Sequence, residues 1–157
     1  MVFKIEKYFY LIILLISIFS IFSALYIEHV LNISPCKLCL YQRIPYLLSS
    51  VICFFGFFLK NKIWTYLLIT VFIGGILLSG YHVGIENNIF NEFPGCTNEN
   101  LHIIDKSEIL QSLNTHLPNC KDISFKIFNL SLATINFIIS IALASFVIKY
   151  LFDEKNR

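Results

Sequence analysis

Charge is scarce in this chain. Only 14% of its 157 residues are Asp, Glu, Lys or Arg, against about a quarter in soluble domains. The net charge of +2 is too small to build the basic face that nucleic-acid binding needs. Two processing and cofactor signals are also missing. No small-x-small cleavage site follows the first apolar run, so that run is expected to stay as a helix rather than leave as a signal peptide. The C-x-x-C pair at Cys36 and Cys39 is followed by Leu40 rather than His, which removes covalent c-type haem attachment.

What fills the chain instead is apolar. The hydrophobic fraction is 57% and the mean hydropathy +0.72, values of a membrane protein. Apolar runs cover Tyr8 to Ile27, Ile44 to Leu59, Ile63 to Val83 and Leu130 to Leu151. All but the second reach the roughly 20 residues that cross a bilayer. The second lengthens if Ser34 caps a helix whose first residue is Pro35. A helix from there to Leu59 is about 37 Å long, with a kink expected where Pro45 removes a backbone donor.

The expectation is therefore one all-α membrane domain over residues 1–157, a four-transmembrane-helix bundle. Its helices fall at about 8–27, 35–59, 63–84 and 130–151, with a long outer loop at about 85–129 between the third and fourth. Lys4, Lys7, Lys60, Lys62, Lys149, Lys155 and Arg157 gather on one side against Glu6, Asp153 and Glu154. The positive-inside rule makes that side, and both termini, cytoplasmic. Gly75 with Ser79, and Gly80 with Gly84, have the small-x-x-x-small spacing of helix packing.

Four of the five cysteines, Cys36, Cys39, Cys96 and Cys120, then fall on the outer side, where disulfides persist. Cys53 lies within a span and reads as a small buried hydrophobe. On a continuous second helix Cys36, Cys39 and Arg43 are spaced i, i+3, i+7 and share one face. The helix N-terminus and the guanidinium both favour an anion there, and Cys39, one turn above Arg43, is the expected thiolate. Arg43 also fits a cation that merely anchors the helix at the interface.

Cys96 and Cys120 follow prolines in Phe93-Pro94-Gly95-Cys96 and Leu117-Pro118-Asn119-Cys120. Taken alone, a structural staple suits them better than chemistry, because secreted loops commonly use one. Between them, Asp105 to His116 reads as a short helix with Asp105 and Glu108 in capping-box spacing. Ile123 to Phe128 mixes apolar and polar residues and suits the membrane surface. His29, His102 and His116 read as interfacial or solvated. Zinc is disfavoured because the outer pair lacks C-x-x-C spacing and no His clusters with the cysteines in sequence.

The stretch Pro35-Cys36-Lys37-Leu38-Cys39-Leu40-Tyr41-Gln42-Arg43 resembles the signature of the DsbB disulfide bond formation proteins. The resemblance covers nearly the whole chain, and the C-x-x-C precedes the loop cysteines as in that family rather than in vitamin K epoxide reductases. It implies that Cys96 and Cys120 form the disulfide that oxidises a DsbA-like periplasmic thiol oxidase, Cys96 being the sulfur attacked. It implies that Cys120 then exchanges with Cys36, and that Cys39 passes electrons to a quinone, ubiquinone or menaquinone. Arg43 matches the family's quinone-site arginine, and His82 matches a position proposed near the quinone, although an interfacial histidine without a task fits it equally. The implied location is the bacterial inner membrane, with the redox sites on the periplasmic side. A non-catalytic four-span scaffold with a disulfide-braced outer loop is the alternative, and it leaves the shared face of Cys36, Cys39 and Arg43 without a reason.

Overall fold

The computed structural model describes residues 2–59, 61–91, 120–121, 126–127 and 130–156. Within them lie α1 (Val2–His29), α2 (Lys37–Tyr41), α3 (Ile44–Leu59), α4 (Lys62–Glu86), β1 (Lys126–Ile127), β2 (Leu130–Ser131) and α5 (Leu132–Lys155). Among the described residues four stretches are long and apolar enough to cross a membrane: Tyr8–His29, Lys37–Leu59, Lys62–Glu86 and Leu132–Lys155. Their outward faces carry Phe19, Phe58 and Leu77, side chains that only lipid can cover favourably.

Between helices in lipid the hydrophobic effect supplies little, so packing and hydrogen bonds must hold the bundle. Phe9, Ile13, Leu68, Phe72, Leu143 and Val147 fill the interior. Buried polar pairs stitch neighbours across it. Tyr10 bonds Thr65 at 2.8 Å, Ser17 bonds Ser49 at 2.8 Å, and the Tyr46 hydroxyl donates to Asn136 Oδ1. Lys62 at the start of α4 pairs with Glu154 near the end of α5 at 2.9 Å. Ser131 at the start of α5 donates to Glu86 at the end of α4. These two helices are therefore antiparallel. Phe9 stacks on Tyr150 with ring centroids 3.8 Å apart, which brings the first turns of α1 to the last turns of α5.

The second span departs from expectation. It is two helices rather than one kinked one, and it starts later, with Cys36 rather than Ser34 as N-cap. The cause is Pro45. Its ring clashes with the carbonyl four residues back and it has no N–H to give, so the chain cannot run on as one helix through Tyr41. The break falls at Gln42 and Arg43, and Pro45 then sits in the first turn of α3, where a missing donor costs nothing. The other spans overrun their expected ends by a few residues. Asn61 caps α4 through Ile63 N–H, and Ser131 caps α5 through Thr134 N–H.

The segment expected along the membrane surface is only partly described, and Lys126 and Ile127 pair antiparallel with Ser131 and Leu130. This pairing gives backbone groups near the boundary partners that lipid cannot supply. The short helix expected at Asp105 to His116 lies outside the described residues.

Gly56 shows how closely α1 and α3 approach. A Cβ there would fall 2.6 Å from Tyr10 Cε1. The ring cannot swing away, because its hydroxyl is bonded to Thr65 and its edge packs on Phe9. Gly56→Ala should therefore destabilise the bundle by about 1–2 kcal/mol, overpacking outweighing the helix-propensity gain of alanine. Gly74→Ala is the control, since its Cβ would meet nothing within 4 Å. Thermal unfolding in detergent should show a lower Tm for the first and an equal or higher Tm for the second.

Candidate redox site

Cys36 occupies the N-cap of α2 in extended backbone, φ −69° and ψ 164°. Its sulfur takes the role usually played by a serine or aspartate oxygen and accepts the Cys39 N–H at 3.2 Å. That turn brings the two sulfurs to 2.6 Å, and both residues are free thiols. Cys36 is buried, whereas Cys39 is partly open.

The expected thiolate moves accordingly. Cys36, ahead of the span, accepts from the Cys39 thiol, and this bond above all holds it down to about 5, with the His82 ring adding to the effect and burial opposing it. With only five residues, α2 has little dipole of its own, so discrete donors stabilise the anion, and they converge on Cys36 rather than on Cys39.

His82, from the last turns of α4, is 2% exposed. Its Nε2 lies 3.7 Å from Cys36 Sγ, and its Nδ1 meets Gln42 Nε2 at 2.9 Å. Glu86 Oε1 stands 3.9 Å from the same Nε2. The sequence reading that no histidine clusters with the cysteines is thus corrected: Cys36, Cys39 and His82 bring their ligand atoms within 4.8 Å of one another. Zinc still fits poorly. Two thiolates on one tetrahedral zinc stand ~3.8 Å apart, given Zn–S bonds of about 2.3 Å, and these sulfurs are at 2.6 Å. Such a spacing suits a dithiol that closes and reopens.

Behind the sulfurs lies a cavity of about 360 Å³. Its walls are apolar, among them Ile21, Ile27, Ile135 and Ile139, and its polar points include Cys39, Arg43, His82 and Glu86. Cys36 and Arg43 line the same cavity although the helix between them is broken. Arg43 Nη1 donates to Glu28 Oε2 at 2.6 Å. The pair joins the end of α1 to the start of α3, and it neutralises a guanidinium that would be costly alone at this depth.

Cys120 is 2% exposed and packs in one buried cluster with Cys36, Leu38 and Ile85. It is disulfide-bonded, and its backbone also meets the His82 ring. Cys96 lies outside the described residues. Cys53 is buried among Phe9, Leu68 and Phe72, in the core cluster rather than in the cavity lining.

The family described as Disulfide bond formation protein DsbB matches residues 6–149. The chain belongs to the DsbB family. Disulfide bond formation protein B of Marinobacter nauticus is 23% identical over 117 residues, 69% of this chain and 70% of its own length. Disulfide bond formation protein B 1 of Pseudomonas aeruginosa is 24% identical over 118 residues, 70% and 72% of the two chains. Uncharacterized protein RP370 of Rickettsia prowazekii is 26% identical over 154 residues, 94% of this chain and 88% of its own. As a DsbB family member the chain is a membrane protein of disulfide bond formation.

Several residues of this DsbB family site escape a reading of the sequence. Glu28, Gln42, Tyr46, Glu86 and Asn136 all line the cavity. A signal existed for two of them. Asn136 is an amide inside an apolar run, and Glu28 is a carboxylate at the end of one, and polar groups at such depths need a partner.

Proposed function

We propose that this DsbB family member reoxidises a DsbA-like thiol oxidase of the periplasm and passes the electron pair through two cysteine pairs to a membrane quinone, ubiquinone or menaquinone. The observation that carries this reading is the placement of the Cys36 and Cys39 thiols between two features: the disulfide-bonded Cys120 packs against Cys36 on one side, and a cavity containing Arg43 opens on the other.

Cys96 and Cys120 form the outer pair. The partner's thiolate attacks Cys96, the bond to Cys120 breaks, and Cys120 leaves as a thiolate. Cys120 then attacks Cys36 of the closed inner pair, and Cys39 leaves with the electron pair. The partner's second thiolate attacks the partner sulfur bonded to Cys96, so the partner departs with its own disulfide and Cys96 leaves as a thiolate. Cys96 in turn attacks Cys120, restoring the outer disulfide and releasing Cys36. The net result is one new disulfide in the partner and two electrons resident on the inner dithiol.

The cavity suits a neutral, lipid-soluble ring: its size falls within the roughly 300–1,000 Å³ usual for ligand sites, and its walls are apolar with a few polar groups. A quinone held there supplies a two-electron, two-proton acceptor. Arg43 would hold a ring oxygen through guanidinium donors beyond the one given to Glu28, favouring negative charge where it develops. The basic residues flanking the spans support cytoplasmic termini in a bacterial inner membrane, with the sulfurs at the periplasmic face.

The test is quinone reduction by the purified protein in detergent, supplied with a reduced DsbA-like protein and with ubiquinone or menaquinone in turn. The expected result is stoichiometric oxidation of the partner with one of them. Thiol oxidation that proceeds equally without quinone, or none with either, overturns the proposal.

A further inference from the structure

A directed chain of hydrogen bonds runs from the bundle interior to the Cys36 sulfur, and each link has a single chemical sense. Asn136 Oδ1 can only accept, so the Tyr46 hydroxyl donates to it. That turns the Asn136 amide nitrogen toward Gln42 Oε1, 2.8 Å away, which also can only accept. Gln42 must then present its nitrogen to His82 Nδ1 at 2.9 Å. A neutral imidazole whose Nδ1 accepts carries its proton on Nε2, and Nε2 faces Cys36 Sγ at 3.7 Å.

We propose that Asn136, with Tyr46 behind it, is a positioning residue for thiol–disulfide exchange: through Gln42 it fixes His82 in the form that donates from Nε2 to the Cys36 sulfur. This rests on the two-pair relay proposed above. In the exchange that frees Cys36, the Cys96 thiolate attacks Cys120 Sγ, a Cys96–Cys120 bond forms, and the Cys36–Cys120 bond breaks. The electron pair leaves on Cys36. No proton needs to move, since the sulfur departs as an anion into a hydrogen bond already in place. A better stabilised leaving thiolate departs faster. Without Asn136 the Gln42 amide is free to turn over and offer its oxygen to Nδ1. The proton then sits on Nδ1, and Nε2 presents a lone pair to a sulfur anion.

Other charged or titratable groups surround these atoms, and the test must read past them. Cys39 comes from α2, Glu86 from α4, and the Arg43–Glu28 pair from α3 and α1, while Ser131 ahead of α5 holds Glu86. Glu86 stands beside Nε2 and the Cys120 backbone also meets the ring, so the variant that breaks the Gln42 link is compared with a wild type that keeps those two contacts.

The experiment uses the full chain in detergent, with Cys36 and Cys39 reduced. Histidine ¹⁵N spectra, with His82 assigned by its loss in His82→Gln, should show the Nε2–H tautomer in the wild type and a mixture or the Nδ1–H form in Asn136→Leu. Peptide-resolved alkylation of Cys36 across pH should move its midpoint upward by about one unit, a roughly ten-fold fall in the thiolate-to-thiol ratio at a given pH, the scale of one hydrogen bond to an ion. A wild-type His82 carrying its proton on Nδ1 overturns the proposal whatever the variants do, and so does an unchanged midpoint in folded Asn136→Leu. Where that variant fails to fold, Tyr46→Phe, which deletes one hydroxyl, must shift the tautomer ratio in the same direction. The tautomer and the alkylation midpoint need no quinone, so absent quinone turnover in the wild type would sink the relay without deciding this point.

Discussion

Cys39→Ser should abolish quinone reduction by the reduced thiol partner, to the background rate, and leave the melting temperature within a degree or two of wild type. The size of the effect follows from the chemistry: a hydroxyl can neither close the 2.6 Å gap to Cys36 as a disulfide nor carry the electron pair. The small effect on folding follows from the surroundings, since the Cys36 sulfur keeps the backbone N–H of residue 39 as a donor and serine offers an O–H donor in place of the thiol. The Cys36 thiol should remain competent to exchange with the outer disulfide, so a Cys36–Cys120 linked species should accumulate on non-reducing peptide mapping. Quinone turnover near the wild-type rate would remove the inner pair from the mechanism and restore the scaffold reading.

Arg43→Ala comes next in magnitude. Loss of one preorganised donor at a site of developing charge costs about 10²–10³-fold in rate, and the loss should appear in kcat/KM for quinone while partner thiol exchange changes less than about three-fold. The variant also strands the Glu28 carboxylate, whose partner at 2.6 Å is gone. Arg43→Ala with Glu28→Gln separates the two effects. The double variant should recover thermal stability without recovering quinone turnover, and recovery of both would reduce Arg43 to a structural cation. Lys at position 43 should restore only part of the rate, because an ammonium lacks the planar fork.

The parts of this protein that were legible in the sequence are those set by local patterns. Run length located four spans, and Cys36, Cys39 and Arg43, which the sequence sets on one face, line one cavity. What escaped was set by contacts between helices. The break at Gln42 and Arg43 escaped because a proline acts backwards on the preceding turn, so Pro45 ends α2 rather than bending one long helix after the motif. The expectation of a thiolate at Cys39 rests on a helix N-terminus and on the Arg43 guanidinium, whereas the donors that reach Cys36 come from Cys39 itself and from His82, 46 residues away in sequence. The register of Cys36, Cys39 and Arg43 was argued on a continuous helix, and the three meet at one cavity although that helix is interrupted. Asn136 carried a readable signal, an amide in an apolar run, but its partner Gln42 lies 94 residues away and only the fold joins them.

The two-piece second span has a consequence for the barrier as well as for the sulfurs. A reaction that repeatedly draws two sulfurs together and releases them strains whatever holds them, and in one rigid rod that strain would run down through the bilayer. Here the cysteines ride on α2, five residues long, and the joint at Gln42 and Arg43 separates it from α3, whose contacts with α1 are fixed by Ser17–Ser49 and the Gly56 approach. In the proposed relay the joint would act as a mechanical fuse, confining such movement to a short cap and leaving the packed rods beneath it in place.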